Sequence, residues 1–545
     1  MDLLGSITDF QPYTEQESVA KKRLISLIKQ YQHQILDRDC EAGHITCSGM
    51  ILSPDLQKTL MAYHLIYQSV GWIGGHADGD PDLLSVALRE AREETSVKEV
   101  YPISGKILSL DALPVPEHEK HGKIVPAHTH YNITYGLIAP ENQKIADKPD
   151  ENKNVQWISI AKIPEYCTES HMIPIYQKII SRMQDIQAQK SKILPEIVTP
   201  LLSWYQEHKR DLPWRKDTDP YHVWISEIML QQTRVEAVKN YYTRFLNALP
   251  DVRSLAECPE EKLLKLWEGL GYYNRVRNMQ KTAKILMTEH QGKFPENYDK
   301  IRALPGIGDY TAGAVCSICF GMPTPAVDGN VLRVMARIRE DFRNILDQKL
   351  KSGLTAQLAG IYTPENSNSL TQALMELGAV ICIPNGKPDC KNCPLQEICM
   401  AKANSSTALL PVRMKKSKHK IQKKTVFIFI AGNPEQNPES CRIAIRKRPE
   451  SGLLAGLWEL PNLENFLTPE EAIAQCSAWE RKPKEFLKIL PKKHVFTHIT
   501  WDMQGIYLAC EPDLNLNQFI WATLRELNTV YSLPTAFRIF LEDLF

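Results

Sequence analysis

The sequence predicts a multidomain chain in which two α+β regions flank an all-α one, on three observations: its length, a change of hydrophobic period along it, and a basic run before its last quarter. At 545 residues it exceeds what one hydrophobic core organises, so three or four domains are expected. Residues 1–190 mix strand-like runs such as His44 to Leu52 with a helical run from Asp82 to Glu94, which reads as α+β. Residues 192–408 are a succession of helical patterns with hardly a strand, broken by turns such as Leu304-Pro305-Gly306-Ile307-Gly308, which reads as all-α. Residues 409–424 open a basic stretch of Arg413, Lys415, Lys416, Lys418, Lys420, Lys423 and Lys424, which reads as an exposed linker, either a solvated connector or one that touches phosphate. Residues 425–545 begin with the strand-like runs Thr425 to Ile430 and Cys441 to Arg446 and form the second α+β region. No repeat of fixed short period is visible.

Composition agrees with a soluble globular protein: 43% of residues are apolar and 24% charged, and no unbroken apolar run reaches the ~18 residues of a bilayer span. Met1 to Gln11 carries acids and no basic cluster, which argues against a secretory signal and for a cytoplasmic location. The 65 basic and 64 acidic residues nearly cancel, so any attraction for phosphate has to come from local patches. Thirteen cysteines in a cytoplasmic chain are expected to be thiols or metal ligands and not a disulfide framework.

Cys382, Cys390, Cys393 and Cys399 follow the spacing Cys-x7-Cys-x2-Cys-x5-Cys, while the other nine are scattered. Four thiolates that close make a metal site. Structural zinc usually takes two separated Cys-x2-Cys knuckles, so a single compact loop with one such pair and two outriders suits a [4Fe-4S] cubane better. Cys316 and Cys319 lie on a predicted helix and read as small buried residues.

Leu304 to Ala312 looks like a helix-hairpin-helix turn, in which Gly306 and Gly308 permit unusual backbone angles and let main-chain N–H groups face a phosphate. About twenty residues on, Pro325-Ala326-Val327-Asp328-Gly329-Asn330-Val331 sets a carboxylate before a helix start, where Asp328 can cap the helix and also stabilise an oxocarbenium-like sugar. A second acid, Glu227, interrupts the otherwise apolar helix within Val223 to Thr233.

The cysteine loop with Gly378 to Cys382, the hairpin, and Leu212-Pro213-Trp214-Arg215 through Arg234 together resemble the MutY adenine DNA glycosylases and the related endonuclease III, with one residue more between the first two cysteines than is usual there. The resemblance implies an all-α helix-hairpin-helix glycosylase core with a [4Fe-4S] cluster held by the four cysteines. It implies Glu227 as the acid that protonates adenine at N7 and Asp328 as the ionised partner. A free glutamate, pKa about 4.3, is protonated roughly once in five hundred at pH 7, so burial is expected to raise Glu227 to about 6 or 7, near 3 kcal/mol of disfavoured ionisation. Endonuclease III attacks with a lysine where this chain has Tyr310, flanked by Asp309 and Thr311, so no Schiff-base lyase is expected. Asn330 matches a residue that holds the nucleotide near the aspartate. Arg210, Arg215 and Gln372 match positions round the adenine pocket, and Gln232 and Tyr272 match wedge positions that offset the cost of extruding a base.

Leu453 to Pro461 and Lys493 to His498 resemble the α+β MutT-like domain with which MutY reads 8-oxoguanine, and Phe496, Thr497 and His498 match its recognition loop, with Thr497 where serine is usual. No metal-binding glutamate cluster of the hydrolase kind follows Pro461, so this domain is expected to bind without cleaving.

Residues 1–190 resemble a Nudix hydrolase. Gly74-Gly75-His76-Ala77-Asp78 leads into Arg89-Glu90-Ala91-Arg92-Glu93-Glu94, where spacings of three and four gather Glu90, Glu93 and Glu94 for Mg2+ or Mn2+. Pro81 replaces an expected glutamate, with Asp80-Pro81 a good helix start, and Ser96 replaces the closing glycine, a strain of about 1 kcal/mol in a left-handed turn. The substrate expected is a nucleoside diphosphate derivative, an oxidised nucleotide being the candidate by association, and the alternative is a degenerate module that binds without hydrolysis.

Three readings follow. The leading one is a monofunctional adenine glycosylase acting on duplex DNA with adenine opposite 8-oxoguanine or guanine, a monomer with no membrane partner. The others are a bifunctional pyrimidine glycosylase, opposed by Tyr310, and a DNA-binding scaffold, opposed by the pairing of Glu227 with Asp328.

Overall fold

The computed structural model describes residues 3–544 except 41, 66–67, 121–122, 149–151, 415–419, 434–439, 482, 497 and 513–518. The chain divides into two compact units. One is Met1–Lys209 with Val327–Ile361 and Gln372–Met414; the other is Arg210–Ala326 with Tyr362–Thr371 and Lys415–Phe545.

The first unit is built on an eight-stranded sheet. Its centre is the parallel pair His44–Leu52 and His128–Ile138, with Lys58–His64 and Ile73–His76 antiparallel to the first and Ser109–Val115 antiparallel to the second. Strand alternation splits the side chains between two faces. Ile45, Cys47, Ile51, Tyr131 and Ile133 pack with Leu83, Val86, Ala87 and Ala91 of helix Leu83–Thr95. Met50, Leu52 and Ile138 pack on the other face against Tyr176, Ile179 and Met183 of helix Ile173–Glu196. That helix runs past residue 190 and is followed directly by Val198–His208.

A buried ion pair ties helix Glu15–Tyr31 to this body. Glu17 completes the capping box of Thr14 and receives Arg182 through both nitrogens, at 2.8 Å each, with Ser109 Oγ at 3.0 Å. Burial alone would raise the Glu17 pKa, but Arg182, the Tyr13 N–H and Lys178 outweigh it and hold it at about 2. Because the folded value lies below the free one, the stabilisation is present above pH ~4.5 and is lost as pH falls towards 2. Glu17→Gln is expected to lower the unfolding free energy of this unit by about 3 kcal/mol at pH 7, with the deficit vanishing in acid; urea titrations at the two pH values check it.

The second unit joins a helical body to a seven-stranded sheet. Helices Pro220–Leu230, Val235–Ala248, Asn274–Glu289 and Asp309–Phe320 close round a core of Trp224, Ile228, Phe245, Trp267, Met279 and Val315. The sheet repeats the pairing of the first: a parallel pair Lys420–Ala431 and Ile499–Ala509, with Arg442–Lys447 and Asn462–Glu464 antiparallel to the first and Glu485–Val495 antiparallel to the second. The equivalence is in topology, which is why no short repeat betrays it. Strand Lys420–Ala431 also starts five residues before the expected Thr425, taking Lys420, Lys423 and Lys424 out of the basic linker; Lys424 is buried. Lys265 donates to the Leu527 and Tyr531 carbonyls at 2.9 and 3.1 Å, and Glu268 accepts from Arg538 at 2.8 Å, which fastens the helical body to the segment that follows the last strand, Ile520–Thr523.

Candidate active site

Asp219 caps helix Pro220–Leu230 through the Tyr221 N–H, Pro220 sets its first turn, and apolar residues around its circumference bury it. Glu227 is carried inside with it, 6% exposed. The hydroxyl of Tyr310, from the first turn of helix Asp309–Phe320, donates to Glu227 Oε2 at 2.5 Å. The position where a lyase would need an amine therefore holds a phenol bonded to the buried acid.

Gly308 is the N-cap of that helix, with no side-chain cap hydrogen bond and nothing within 4 Å of where a Cβ would stand, so the approach to its first turn is unobstructed at this point. Gly306 has φ +77°, and a Cβ there would lie 2.7 Å from Asn278. Leu304 is buried beneath the turn.

Gln232 and Tyr272 both adopt left-handed backbone, φ 62° and 47°, which bulky residues hold only where the surroundings enforce it. Both are exposed. Arg275 supplies the enforcement, donating to the Ile228 and Gln231 carbonyls at 2.6 and 2.8 Å and to those of Leu270 and Gly271 at 2.8 and 3.2 Å. One guanidinium thus pins both turns, and burial lowers its pKa to about 10, still charged at neutral pH. Tyr272 faces a cavity of about 550 Å3 whose other walls include Phe496 and His498. Thr497, between them, lies outside the described residues.

In the first unit, Asp328 caps helix Gly329–Ile338. Its Oδ1 accepts the N–H groups of Asn330 and Val331 at 2.9 and 2.8 Å, and its Oδ2 accepts Asn330 Nδ2 at 2.7 Å. Burial raises its pKa against these three donors and nearby Arg333. Arg333 donates to Asn330 Oδ1, Gly378 O and Cys382 O, each at 2.8 Å. One turn on, Arg337 reaches Cys382 Sγ at 3.3 Å and the carbonyls of Ile383 and Leu410 at 3.0 Å. Cys382, Cys390, Cys393 and Cys399 line one small cavity, and burial pushes the Cys393 thiol up to about 12. Four sulfur donors round one space beside an arginine suit a soft, anionic iron-sulfur cluster.

Arg275, Arg333 and Arg337 were not among the expected site residues. For Arg333 and Arg337 the signal was the one that exposed Glu227, a charged side chain on a helix whose residues from Val331 to Ile338 are all buried, whereas Arg275 lies on a helix with few buried residues and gave none. Of the pocket candidates, Arg215 Nη1 donates to the Arg210 carbonyl at 3.3 Å in the second unit, while Gln372 accepts from Tyr205 at 3.2 Å in the first. Cys316 and Cys319 sit on helix Asp309–Phe320, Cys316 fully buried and Cys319 partly so.

On the first sheet, helix Leu83–Thr95 starts one turn-residue later than expected, capped by Asp82 through the Ser85 N–H, with Asp80 in turn accepting the Asp82 N–H. Glu90 lies under Gly75, where a Cβ would come within 2.5 Å of its Oε2. Glu94 is buried, accepting from Gly74 N–H at 3.2 Å and Asn152 Nδ2 at 3.0 Å, and Glu93 is exposed. Ser96 has φ 59°, the left-handed cap that glycine would fill without strain. Ser96→Gly is accordingly expected to stabilise this unit by about 1 kcal/mol in thermal or urea unfolding.

Glu459, beside Pro461, is buried and spent on Arg446 at 2.8 Å and on Arg448. The helix that follows, Pro469–Ala478, ends in Gln475-Cys476-Ser477-Ala478 where the first sheet's helix ends in carboxylates.

The model for the HhH-GPD superfamily of base excision DNA repair proteins matches residues 225–354, and the NUDIX domain model matches residues 436–543. The chain is 34% identical over 339 residues to the adenine DNA glycosylase of Buchnera aphidicola subsp. Baizongia pistaciae, covering 62% of this chain and 93% of that protein. To the adenine DNA glycosylase of Homo sapiens it is 35% identical over 367 residues, 57% of this chain and 66% of the relative. To that of Arabidopsis thaliana it is 37% identical over 295 residues, 48% of this chain, and it spans about half of that relative's length, 46%. No helix among the described residues is long and apolar enough to cross a membrane. A relative matched over nine-tenths of its length, together with both models, settles the family: the chain belongs to the adenine DNA glycosylases.

Proposed function

We propose that this protein removes adenine mispaired with 8-oxoguanine or guanine in duplex DNA, without cleaving the strand. The observation that carries the reading is the buried Glu227 on an apolar helix, bonded by Tyr310 where a lyase would hold lysine. Glu227 delivers a proton to adenine N7 as the glycosidic bond stretches, and a buried carboxyl is suited to hold that proton near neutral pH. Asp328, oriented by Asn330, faces the sugar that gains positive charge. Gln232 and Tyr272 enter the base stack, the turn from Leu304 to Gly308 holds the backbone, and Arg210, Arg215 and Gln372 border the adenine. Phe496, Thr497 and His498 read 8-oxoguanine on the partner strand.

The division into a Nudix-like domain (1–190), a glycosylase (192–408), a linker (409–424) and a recognition domain (425–545) belongs to the same proposal, as do a monomeric state and a cytoplasmic location. Cys382, Cys390, Cys393 and Cys399 would hold a [4Fe-4S] cluster that braces the loop next to helix Gly329–Ile338. Glu90, Glu93 and Glu94 would hold Mg2+ or Mn2+, whose charge supports hydrolysis of a nucleoside diphosphate derivative.

The test is a set of duplexes carrying adenine opposite 8-oxoguanine, adenine opposite guanine, or an oxidised pyrimidine, scored for base release, nicking and borohydride trapping. Adenine release without trapping is the expected result. Release of the pyrimidine with a trapped covalent adduct would establish the bifunctional reading instead.

A further inference from the structure

Four histidines converge at one end of the first sheet, on side chains that neither the glycosylase nor the diphosphate chemistry uses. His44 stands opposite His130 across the parallel pair, and His76 stands opposite Thr46 on the antiparallel neighbour. Side chains directly opposite share a face, and His44 and Thr46 are two residues apart, so all three imidazoles leave the sheet on one side. That side is the reverse of the one on which Gly75 meets Glu90, so the histidines and the helix carboxylates are separated by the sheet.

One ring nitrogen from each of His44, His76 and His130 lies within 4.8 Å of the others. His128 adds a fourth ring: its Nε2 is 3.0 Å from His130 Nε2, and its centroid is 5.1 Å from that of His44. The Pro126 carbonyl lies 2.8 Å from His128 Nδ1, so Nδ1–H donates there and Nε2 is the acceptor nitrogen, which here faces His130 Nε2 and would turn to a cation in its place. This backbone-oriented tautomer is the one that metal-bound histidines adopt. His44 is 3% exposed, and neither of its ring nitrogens has a hydrogen-bond partner among the described residues. A buried imidazole with nothing to bond is costly and rare, and a cation at the centre of the cluster would satisfy it.

We propose that His44, His76, His128 and His130 form a site for one divalent transition-metal ion of the imidazole-preferring class, zinc foremost. A donor set of nitrogens alone does not suit Mg2+ or Ca2+, which take oxygen, whereas zinc takes four such ligands in a closed tetrahedral site. Zinc–nitrogen bonds of about 2.0–2.1 Å set ligand nitrogens roughly 3.4 Å apart, so the rings, whose nitrogens now lie within 4.8 Å of one another, would draw in on the ion. The ion would clip together three strands of the sheet, a structural role.

The experiment uses the untagged full-length chain, loaded with zinc sulfate, desalted and assayed for zinc and iron per chain. Wild type is expected to retain one zinc that His76→Gln and His130→Gln both lose, with iron content unchanged in all three. Addition of zinc is expected to raise the melting temperature of wild type and not of either variant. His44→Phe, which removes the buried ligand while keeping bulk, is expected to behave in the same way. Should that variant lose iron as well through misfolding, the two half-exposed positions decide by the same criterion. Equal zinc in wild type and in His76→Gln and His130→Gln, whether one equivalent or none, overturns the assignment.

Discussion

Glu227→Gln is expected to slow adenine release from a duplex with adenine opposite 8-oxoguanine by on the order of 10^2–10^4-fold, the range in which a positioned general acid contributes. Glutamine has the same shape and can still accept the Tyr310 hydroxyl that now reaches Oε2, so the buried helix should keep its packing. What it lacks is a transferable proton, and adenine leaves poorly as an anion. The measurement is a single-turnover rate with enzyme in excess, paired with binding of the same duplex by the slowed variant. Unchanged affinity with a collapsed rate supports proton donation. A rate within about tenfold of wild type would remove Glu227 from the chemistry and leave it as a buried structural acid.

Asp328→Asn is expected to cost on the order of 10^2–10^3-fold in the same rate, the scale on which loss of one preorganised electrostatic partner of a developing charge is felt. The substitution replaces an acceptor of three N–H bonds with a side chain that accepts through one oxygen only, so Asn330 and Val331 lose part of their anchor as well. Melting temperature measured alongside the rate separates a weakened helix cap, about 1 kcal/mol, from a catalytic loss. The sign of the pH dependence follows from the role: the carboxylate acts ionised, and burial sets its pKa above the ordinary aspartate value of 3.8. The wild-type rate is therefore expected to fall on the acid side at a higher pH than an exposed aspartate would give. A rate flat down to pH 4 would contradict an ionised Asp328 as the partner of the sugar.

Much of the candidate site was legible because its signals are local. Cys382, Cys390, Cys393 and Cys399 announce one metal loop by spacing alone, and the loop does gather them round a single cavity. Leu304 to Gly308 reads as a hairpin because Gly306 and Gly308 permit unusual backbone angles and because Asp328 follows about twenty residues on, and Gly306 indeed takes a positive φ. Glu227 stood out because an acid inside an apolar helix violates the pattern of its neighbours, and Asp328 because a carboxylate before a helix start is a cap. Each of these depends on residues within a few positions of one another.

Other features were not legible, for a physical reason that particular residues make plain. Arg275 is one arginine among many until the fold brings the carbonyls of Ile228 and Gln231 under its guanidinium, and only then does it explain how Gln232 and Tyr272 are held in left-handed backbone. Arg333 joins Asn330 to Gly378 and Cys382, residues that the chain order keeps apart. The second sheet duplicates the first in strand pairing, yet hydrogen bonds between backbones leave no mark on side-chain identity.

The sequence by itself determined the succession of α+β, all-α and α+β regions, the cysteine loop, the hairpin and the two carboxylates, because periodicity, turns and caps are written in neighbouring residues. Tertiary structure alone decided which arginines brace the site, that Tyr310 meets Glu227, and that His44, His76, His128 and His130 converge, because strand register and helix docking set contacts between residues far apart in the chain.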